Sequence, residues 1–393
     1  MELRNIANAI GIDSYPEELE AVFAALPCSD GSACDLDLID KLQEQWILFG
    51  EFYEVVRNTA EEINRDENRS AWIKTALAYG MDRTVEEACK VPAPKADGTA
   101  ATALLPLYIL IPMFPLAVAD YLRRGFTREE IARILQGIPA GIRVVQSQTG
   151  MPGVDDTYYG WLMIFAKARI FFADQLQIEI FQSPDHVVYL KHKVSGQLCP
   201  LFYDTLIHRS GENLVGSVGY EDAQGATQAK FREDADNFYG YPCIDDVIHT
   251  EEQAFPKTEW EAFLRPGDDC LNMHIPAGTD ISTPAMLRYF ELGRKIAKER
   301  YPEHKGDAIY AISWILDPRL EDIMGPESNI VKMLKLFVKY PLKTDGNHMF
   351  GFIFGGKPNN YEDLPEKSTL QRGMKKLLLS GGHNYPHAGI YKA

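Results

Sequence analysis

The sequence predicts an α+β fold in which a helical N-terminal domain, residues 1–172, is followed by a mixed β-sheet domain, residues 173–393. Hydrophobic residues recur at helical spacing in the first part, and short segments rich in β-formers follow from residue 176. From about residue 268 strand and helix patterns alternate, which is typical of a mixed sheet that carries helices. The length of 393 residues is sufficient for two domains.

The N-terminal part contains five segments with a helical pattern. They are a helix that starts at Tyr15-Pro16-Glu17-Glu18 and ends near Pro27, Asp37–Asn64, Ser70–Met81, a helix that begins at Thr127 and runs to about Gly137, and Tyr158–Phe172. The start at Thr127 has the capping sequence Thr-Arg-Glu-Glu. The apolar run Ala103–Ala119 contains three prolines and is shorter than the roughly 20 residues of a spanning helix, which predicts a buried, proline-kinked helix.

The remaining elements are predicted from alternation, turn residues and caps. Antiparallel strands are expected at Leu176–Phe181, His186–His192, Leu201–Ile207, Leu214–Val218 and Gln228–Glu233. Further strands are expected at Cys270–Ile275, Ala308–Leu316, Asn329–Tyr340 and Met349–Phe354. Helices are expected at Ile281–Glu299, Asp317–Met324 and Thr369–Leu379, the first capped by Ser282 or Thr283 with Pro284 in its first turn.

Charge and cysteine content exclude several classes of protein. The net charge of −16 argues against nucleic acid as a partner. Residues 329–393 hold 10 basic against 4 acidic residues, so an anionic ligand is expected in the C-terminal half. The six cysteines form no C-x-x-C pair, which indicates reduced thiols and no zinc site. The N-terminus has no apolar signal core, so the expected location is the cytoplasm, without a membrane partner.

Several motifs in the second half resemble one known family. They are Phe231-Arg-Glu-Asp-Ala, Leu264-Arg-Pro-Gly-Asp-Asp-Cys-Leu-Asn-Met-His274-Ile-Pro-Ala-Gly278, Ser313-Trp-Ile-Leu-Asp-Pro-Arg-Leu320, Pro326-Glu-Ser-Asn-Ile330, Leu364-Pro-Glu-Lys-Ser-Thr-Leu-Gln-Arg372 and Gly381-Gly-His383. Together they resemble the bacterial acyltransferases that have a helical N-acyltransferase N-terminal domain and a GNAT-like C-terminal domain. The resemblance is densest over residues 231–383 and extends to the helical half through the apolar helix. It implies that acetyl-CoA or another acyl-CoA is the co-substrate, without a metal.

In the GNAT-like fold the loop after a central strand opens a helix whose N–H groups hold the coenzyme A pyrophosphate. Cys270–Ile275, the loop Pro276–Ser282 and the helix Ile281–Glu299 would be these parts, and Ala308–Leu316 would be the splayed neighbouring strand. The resemblance makes six residues candidate coenzyme A ligands, namely Ile275, Ala277, Gly278, Thr279, Ser282 and Thr283. The family loop usually reads Gln/Arg-x-x-Gly-x-Gly/Ala. This chain instead has one glycine there, followed by Asp280, which could also cap the helix.

The candidate catalytic residues are His274, Asn272 and Ser313. A neutral imidazole at the end of a strand could take a proton near pH 7, and Asn272 lies on the same side two residues earlier. A hydrogen-bonded structural histidine is the alternative. Candidate substrate contacts are Trp314, Asp317, Asn329, Gln371 and His383, of which Asp317 could equally be a helix cap. By analogy Tyr310 could protonate the leaving thiolate.

The sequence therefore favours an acyl-CoA-dependent N-acyltransferase that acylates the amine of a small molecule. Two alternatives stay open. A GNAT-like scaffold with an altered phosphate loop could be a non-catalytic module that binds a ligand or a partner. A different enzyme on the same scaffold could use an acyl donor other than coenzyme A. The acyl group, the acceptor and the oligomeric state are not determined by the sequence.

Overall fold

The computed structural model describes residues 2–26, 32–184 and 186–391. The chain divides into two compact units, Met1–Ile170 and Phe171–Ala393. The two domains predicted from the sequence, with their boundary after residue 172, stay a prediction. Cys28, expected to be a reduced thiol, lies outside the described residues. The five described cysteines are free thiols, as predicted.

The first unit is helical, as the sequence predicts. Its helices are α1 Leu3–Ala9, α2 Glu18–Ala25, α3 Leu36–Trp46, α4 Tyr53–Asn64, α5 Glu67–Met81, α6 Val85–Ala88, α7 Ala100–Ala103, α8 Leu105–Leu110, α9 Phe114–Arg123, α10 Arg128–Leu135, α11 Gly137–Thr149 and α12 Asp156–Ala166. Short 3-10 helices cover Gly50–Phe52 and Ile111–Met113. The capping box at Thr127 is present, since Thr127 and Glu130 bond each other's backbone N–H.

The prediction of one helix over Asp37–Asn64 is wrong, because the chain breaks at Ile47. Ile47 has a left-handed φ of 54° and ends α3. The break allows Leu48 and Phe49 to be fully buried. The Gln43 side chain accepts a hydrogen bond from the Phe49 N–H at 3.0 Å, which holds the turn. Burial of two consecutive apolar residues thus outweighs continued helical periodicity.

The apolar run forms the buried helical segments α8 and α9, with a 3-10 turn at Pro112 between them. Among the described residues, one helical segment, Leu105–Arg123, is long and apolar enough to cross a membrane. Of its most apolar part, 67% is buried inside the protein. Such burial is typical of a core helix, which agrees with the sequence prediction.

The second unit is built on β-sheets. The strands are β1 Ile170–Ala173, β2 Leu176–Gln182, β3 Val187–His192, β4 Leu198–Phe202, β5 Leu206–Ile207, β6 Thr227–Gln228, β7 Arg232–Glu233, β8 Asn237–Ile244, β9 Val247–Ile248, β10 Gln253–Pro256, β11 Trp260–Leu264, β12 Asp269–His274, β13 Ile309–Ser313, β14 Phe337–Pro341 and β15 His387–Tyr391. The helices are α13 Thr283–Arg300, α14 Leu320–Met324, α15 Asn329–Leu334, α16 Phe350–Phe354 and α17 Thr369–Leu379, with 3-10 helices at Trp314–Leu316 and Tyr361–Asp363.

Two large sheets organise these strands. One has the order β1-β2-β12-β13-β15-β14, and the other has the order β10-β8-β4-β3-β11. The pairs β3–β4, β4–β8 and β3–β11 are antiparallel, as predicted for the middle of the chain, whereas β12 and β13 are parallel. The fold is therefore α+β with a mixed sheet, which confirms the predicted fold class.

Of two predicted strands in the C-terminal part, one is partly helical and the other contains a helix. Asn329–Tyr340 forms α15 and then β14, because the Ser328 hydroxyl caps α15 by accepting from the Ile330 N–H at 3.2 Å. Met349–Phe354 contains α16, which ends at Gly355 with a φ of 83°. In both segments the hydrophobic residues are too few to distinguish a strand from a short helix by periodicity.

Other boundaries also differ from the prediction. Leu201–Ile207 is interrupted at Asp204, which has a φ of 48°, and Gln228–Glu233 forms parts of β6 and β7. Leu214–Val218 is a turn region with isolated bridges at Leu214 and Ser217. The helix expected over Tyr158–Phe172 ends at Ala166 and gives way to β1. Left-handed residues mark two of these breaks, Asp204 within Leu201–Ile207 and Ala168, with a φ of 52°, between α12 and β1.

Candidate functional site

The most distinctive feature of the six-stranded sheet is that two parallel neighbours part. β12 and β13 pair at Leu271–Ile309 and at Asn272–Tyr310. Within the fully described stretch 269–313 their pairing stops there. β12 continues along β2 as far as His274, and β13 continues along β15 as far as Ser313. The carboxyl ends of β12 and β13 therefore flank a gap in the sheet, which is the arrangement that the family resemblance implies.

The loop after β12 leads directly into α13. Its turn is closed by Thr279, whose N–H and hydroxyl both donate to the Pro276 carbonyl oxygen, at 3.2 and 2.8 Å. Gly278 has a φ of 83°, which favours glycine, and a Cβ built on it would meet no atom within 4 Å. Ala277 and Gly278 are exposed. The backbone of this turn is thus open to a ligand.

The start of α13 leaves helix donors available. Ser282 is the N-cap residue, but its side chain makes no capping hydrogen bond, and Pro284 follows in the first turn. Asp280 instead accepts from the Ser282 N–H at 2.9 Å, which lowers the pKa of its carboxyl. The N-terminus of α13, which is the positive end of the helix dipole, therefore faces the same turn, where an anion would be stabilised. Ser282 thus occupies the expected N-cap position, but neither it nor Thr283 caps the helix with a side-chain hydrogen bond.

A polar cluster on β2 and β12 lies beside this gap. The Nε2 atom of His274 lies 2.9 Å from Oε2 of Glu179, and the Asn272 amide nitrogen donates to the same oxygen at 2.9 Å. Glu179 and Asn272 are buried, whereas the His274 side chain is 27% exposed. Two predicted catalytic residues, His274 and Asn272, are thus brought together, and the third group, Glu179, was not predicted.

A buried carbonyl oxygen belongs to the same cluster. Among the described residues, Oδ1 of Asn272 is buried without a hydrogen-bond partner. Its orientation is fixed because the amide nitrogen must face the Glu179 carboxylate, which only accepts. An unsatisfied buried acceptor is costly and is compensated when a ligand N–H reaches it.

Ser313 and Trp314 follow at the end of β13. The prediction that Trp314 lies on this strand is wrong, because the chain turns into a 3-10 helix after Ser313. The Ser313 hydroxyl accepts from the Ile315 N–H at 3.3 Å and so caps that turn. Trp314 stacks on Phe352 with the ring centroids 6.3 Å apart. Ser313 therefore has a local structural role in the protein without ligand.

Asp317 is the most fully bonded of the predicted substrate contacts. It is 1% exposed, and its carboxylate accepts two side-chain bonds from Arg319, at 3.0 and 2.7 Å. It also accepts from the Asn384 amide at 2.9 Å and from the Tyr385 N–H at 2.8 Å. This network ties the segment before β15 to the turn after β13, so the carboxylate holds the fold together.

The other predicted substrate residues each have a different setting in the structure. Asn329 is exposed in the first turn of α15. Gln371 completes the capping box of α17 and donates to the Ile353 carbonyl oxygen at 2.9 Å. His383 lies near Tyr385, and burial, followed by the charge of Arg319, lowers its pKa. Their roles as substrate contacts stay predictions.

Tyr310 has the role of thiolate acid by analogy alone, and that role stays a prediction. It is fully buried, and its hydroxyl is hydrogen-bonded to that of Tyr340 at 2.8 Å. Burial raises its pKa well above the ordinary value. No group of three or more possible metal ligands is found in the described ranges.

Glu179 could have been found from the sequence. It is the acidic residue at the centre of the strand Leu-Gln-Ile-Glu-Ile-Phe-Gln. Gln177, Glu179 and Phe181 point to one face, and the isoleucines between them point to the other. A carboxylate in the middle of a buried strand is rare unless it is paired, and that was the available signal.

Comparison with known proteins agrees with this geometry. Residues 196–391 match the family described as the GNAT-like C-terminal domain. Among solved structures, a mutant acyltransferase in complex with octanoyl-CoA has a TM-score of 0.64 and 16% identity, covering 100% of this chain and 99% of its own. An acyltransferase in complex with decanoyl-CoA and teicoplanin has a TM-score of 0.63 at 16% identity and the same coverage. No curated protein matches the sequence.

The whole chain therefore has the two-part fold seen in these acyltransferases, since both chains are covered almost completely.

Proposed function

We propose that the protein is an acyl-CoA-dependent acyltransferase that moves an acyl group to the amine of a small molecule. The observation that carries the proposal is the gap between β12 and β13, which opens beside the turn at Gly278 and the start of α13. The gap suits the narrow pantetheine arm and its acyl group, and the helix start suits the phosphates. Related folds were solved with octanoyl-CoA, decanoyl-CoA and teicoplanin bound, which supports an acyl-CoA donor and a small-molecule acceptor.

The cluster at the gap supplies the proton chemistry that acyl transfer to an amine requires. As the amine nitrogen bonds to the thioester carbonyl carbon, His274 takes the proton that the nitrogen loses. The bond between carbon and sulfur then breaks, and the imidazolium returns the proton to the leaving sulfur. An N–H of the donor's pantetheine arm or of the acceptor would satisfy the unpartnered Oδ1 of Asn272. Ser313, Trp314, Asn329, Gln371 and His383 stay candidate contacts for the bound ligands, whereas Asp317 would act by holding the neighbouring loops in place.

The binding step is tested by thermal unfolding with coenzyme A, acetyl-CoA and decanoyl-CoA. A ligand at about 100 times its Kd adds about 2.7 kcal/mol of stability, which raises the Tm by several degrees. Gly278→Asp should abolish the rise because it places a carboxylate where the phosphates bind. Gly278→Asn is a neutral variant of the same size and should retain most of it.

Gly267→Asp is the matched control for backbone strain. Gly267 has a φ of 81° and the same open surroundings, but it lies in the turn before β12. This variant should keep the full ligand-induced rise. Acyl transfer itself is measured as thiol release with a panel of small primary amines. Absence of a Tm rise with coenzyme A and with both thioesters would overturn the proposal and favour a non-catalytic binding module.

A further inference from the structure

We infer that Glu179 is a positioning residue that holds the His274 imidazole with its proton on Nε2 and its lone pair on Nδ1. The ring nitrogen at 2.9 Å from Oε2 of Glu179 is Nε2. An ionised carboxylate only accepts hydrogen bonds, so a neutral ring facing it must donate from Nε2. Nδ1 is then the basic atom. The kinetic part of this inference rests on the proposed function.

Asn272 fixes the carboxylate in turn. Its amide nitrogen donates to the same Oε2 atom at 2.9 Å, and β2 and β12 place Asn272 directly opposite Glu179. The Asn272 amide nitrogen also lies 3.3 Å from Nε2 of His274. Since both atoms direct their hydrogen at Glu179, this contact is a consequence of the shared acceptor. The three side chains therefore form one fixed unit across two paired strands.

Burial of the Glu179 carboxylate costs free energy, so a role in packing alone does not explain an acidic residue at this position. Its side chain is 8% exposed, and two neighbouring positions on the same sheet face, Phe181 and Cys270, are apolar, whereas Gln177 is polar. Burying a carboxylate costs several kcal/mol unless partners compensate for lost water, whereas an apolar residue would extend the core without that cost. The charge is thus maintained where it can orient His274 and stabilise the imidazolium that forms during proton transfer.

The charge of Glu179 also acts on the Cys270 thiol, two residues before Asn272 on β12. Burial raises the pKa of Cys270 far above its usual value, so that the thiol stays protonated. Cys270 therefore adds no charge beside Glu179. Asp269, at the beginning of β12, is engaged by the Lys305 N–H at 2.8 Å.

The tautomer can be read directly by ¹⁵N NMR of the ring nitrogens of His274 in mildly alkaline buffer. The wild-type protein should show the Nε2–H form. Glu179→Gln can present an amide N–H instead of an acceptor, so the ring should shift to a mixture or to the Nδ1–H form. The matched control is Glu261→Gln, the same change at an exposed carboxylate on β11, which should leave the ring unchanged.

Turnover gives a second readout. Glu179→Gln should lower kcat about 100-fold, within the range of general base catalysis, while the Tm rise with acyl-CoA is retained. An Nδ1–H tautomer in the wild type, or a ring unaffected by Glu179→Gln, would overturn the inference. If that variant does not fold, the tautomer of His274 in the wild-type protein alone supports or contradicts the inference. Because the tautomer is measured without acyl-CoA, the NMR result tests the inference even if the protein proves not to be an acyltransferase.

Discussion

At the scale of single residues, polar side chains inside the second unit fall into two kinds. Asp317 is surrounded by donors that hold loops together. The Glu179 cluster, in contrast, contains a partly exposed imidazole and an amide oxygen without a partner among the described residues. Satisfied buried networks stabilise a fold, whereas an unsatisfied group beside an opening indicates a ligand site.

Asp317→Ala should destabilise the protein by about 3 kcal/mol, because it leaves the buried Tyr385 N–H without its carboxylate acceptor and removes one of the two acceptors of the Asn384 amide, which also donates to the Trp314 carbonyl oxygen. The measurement is urea unfolding followed by circular dichroism. Asp322→Ala is the control, since Asp322 is exposed on α14 nearby. Equal midpoints for the two variants would show that the network contributes nothing.

His274→Gln should lower kcat at least 100-fold, because the variant retains a polar side chain but has no basic nitrogen. Its Tm rise with acyl-CoA should persist, since the phosphates are expected at the start of α13. His192→Gln removes an imidazole from β3 and should leave turnover unchanged. Wild-type turnover by His274→Gln would assign His274 the structural role that the sequence left open.

At the scale of elements, the helix and strand errors have a common cause. Short apolar segments such as Met349–Phe354 fit either period, and the choice between them is made by caps and by contacts distant in the sequence. The break at Ile47 is similar: a β-branched residue adopts a left-handed conformation so that its neighbours can be buried.

Ile47→Gly should therefore raise stability by about 1 kcal/mol, since glycine adopts a φ of 54° without the penalty of a branched side chain. Ile47 is 59% exposed, so little buried surface is lost. The free energy of unfolding in urea measures the effect. Val194→Gly, at a 91% exposed position where φ is not left-handed, is the control and should not stabilise. A less stable Ile47→Gly variant would contradict the strain argument.

At the scale of the whole molecule, buried titratable groups set the pH range of stability. Burial lowers the pKa of His348, His383 and His387 below the ordinary 6.5. The unfolded chain then binds more protons near pH 6, so that stability falls as the pH decreases through 6.5. Burial also raises the pKa of the Cys34 and Cys199 thiols to about 12, against an ordinary value of 9.0.

Stability should consequently be greatest between about pH 6.5 and 9 and fall on both sides. Above the ordinary thiol value the unfolded chain loses protons that the folded chain keeps, which favours unfolding. Urea unfolding of the wild type across this range gives the profile. Cys199→Ala should flatten the alkaline fall relative to the wild type, whatever its effect at neutral pH. A profile that rises below pH 6 would contradict the assignment of buried neutral histidines.

Much of this protein is determined locally by its sequence. The helical first part, the Thr127 capping box, the antiparallel middle and the strand–loop–helix at Cys270–Glu299 follow from periodicity and caps, which act within a few residues. His274 and Asn272 were identified because they alternate on one strand whose end was predictable.

Other features were decided only by tertiary structure. The parting of β12 from β13 depends on β15, a C-terminal strand that takes over pairing with β13 and that the sequence did not predict. Glu179 joins His274 because strand register brings together residues 95 positions apart. The role of Asp317 depends on contacts with residues 384 and 385. Local patterns do not contain such pairings, since they arise from burial and hydrogen bonding between distant segments.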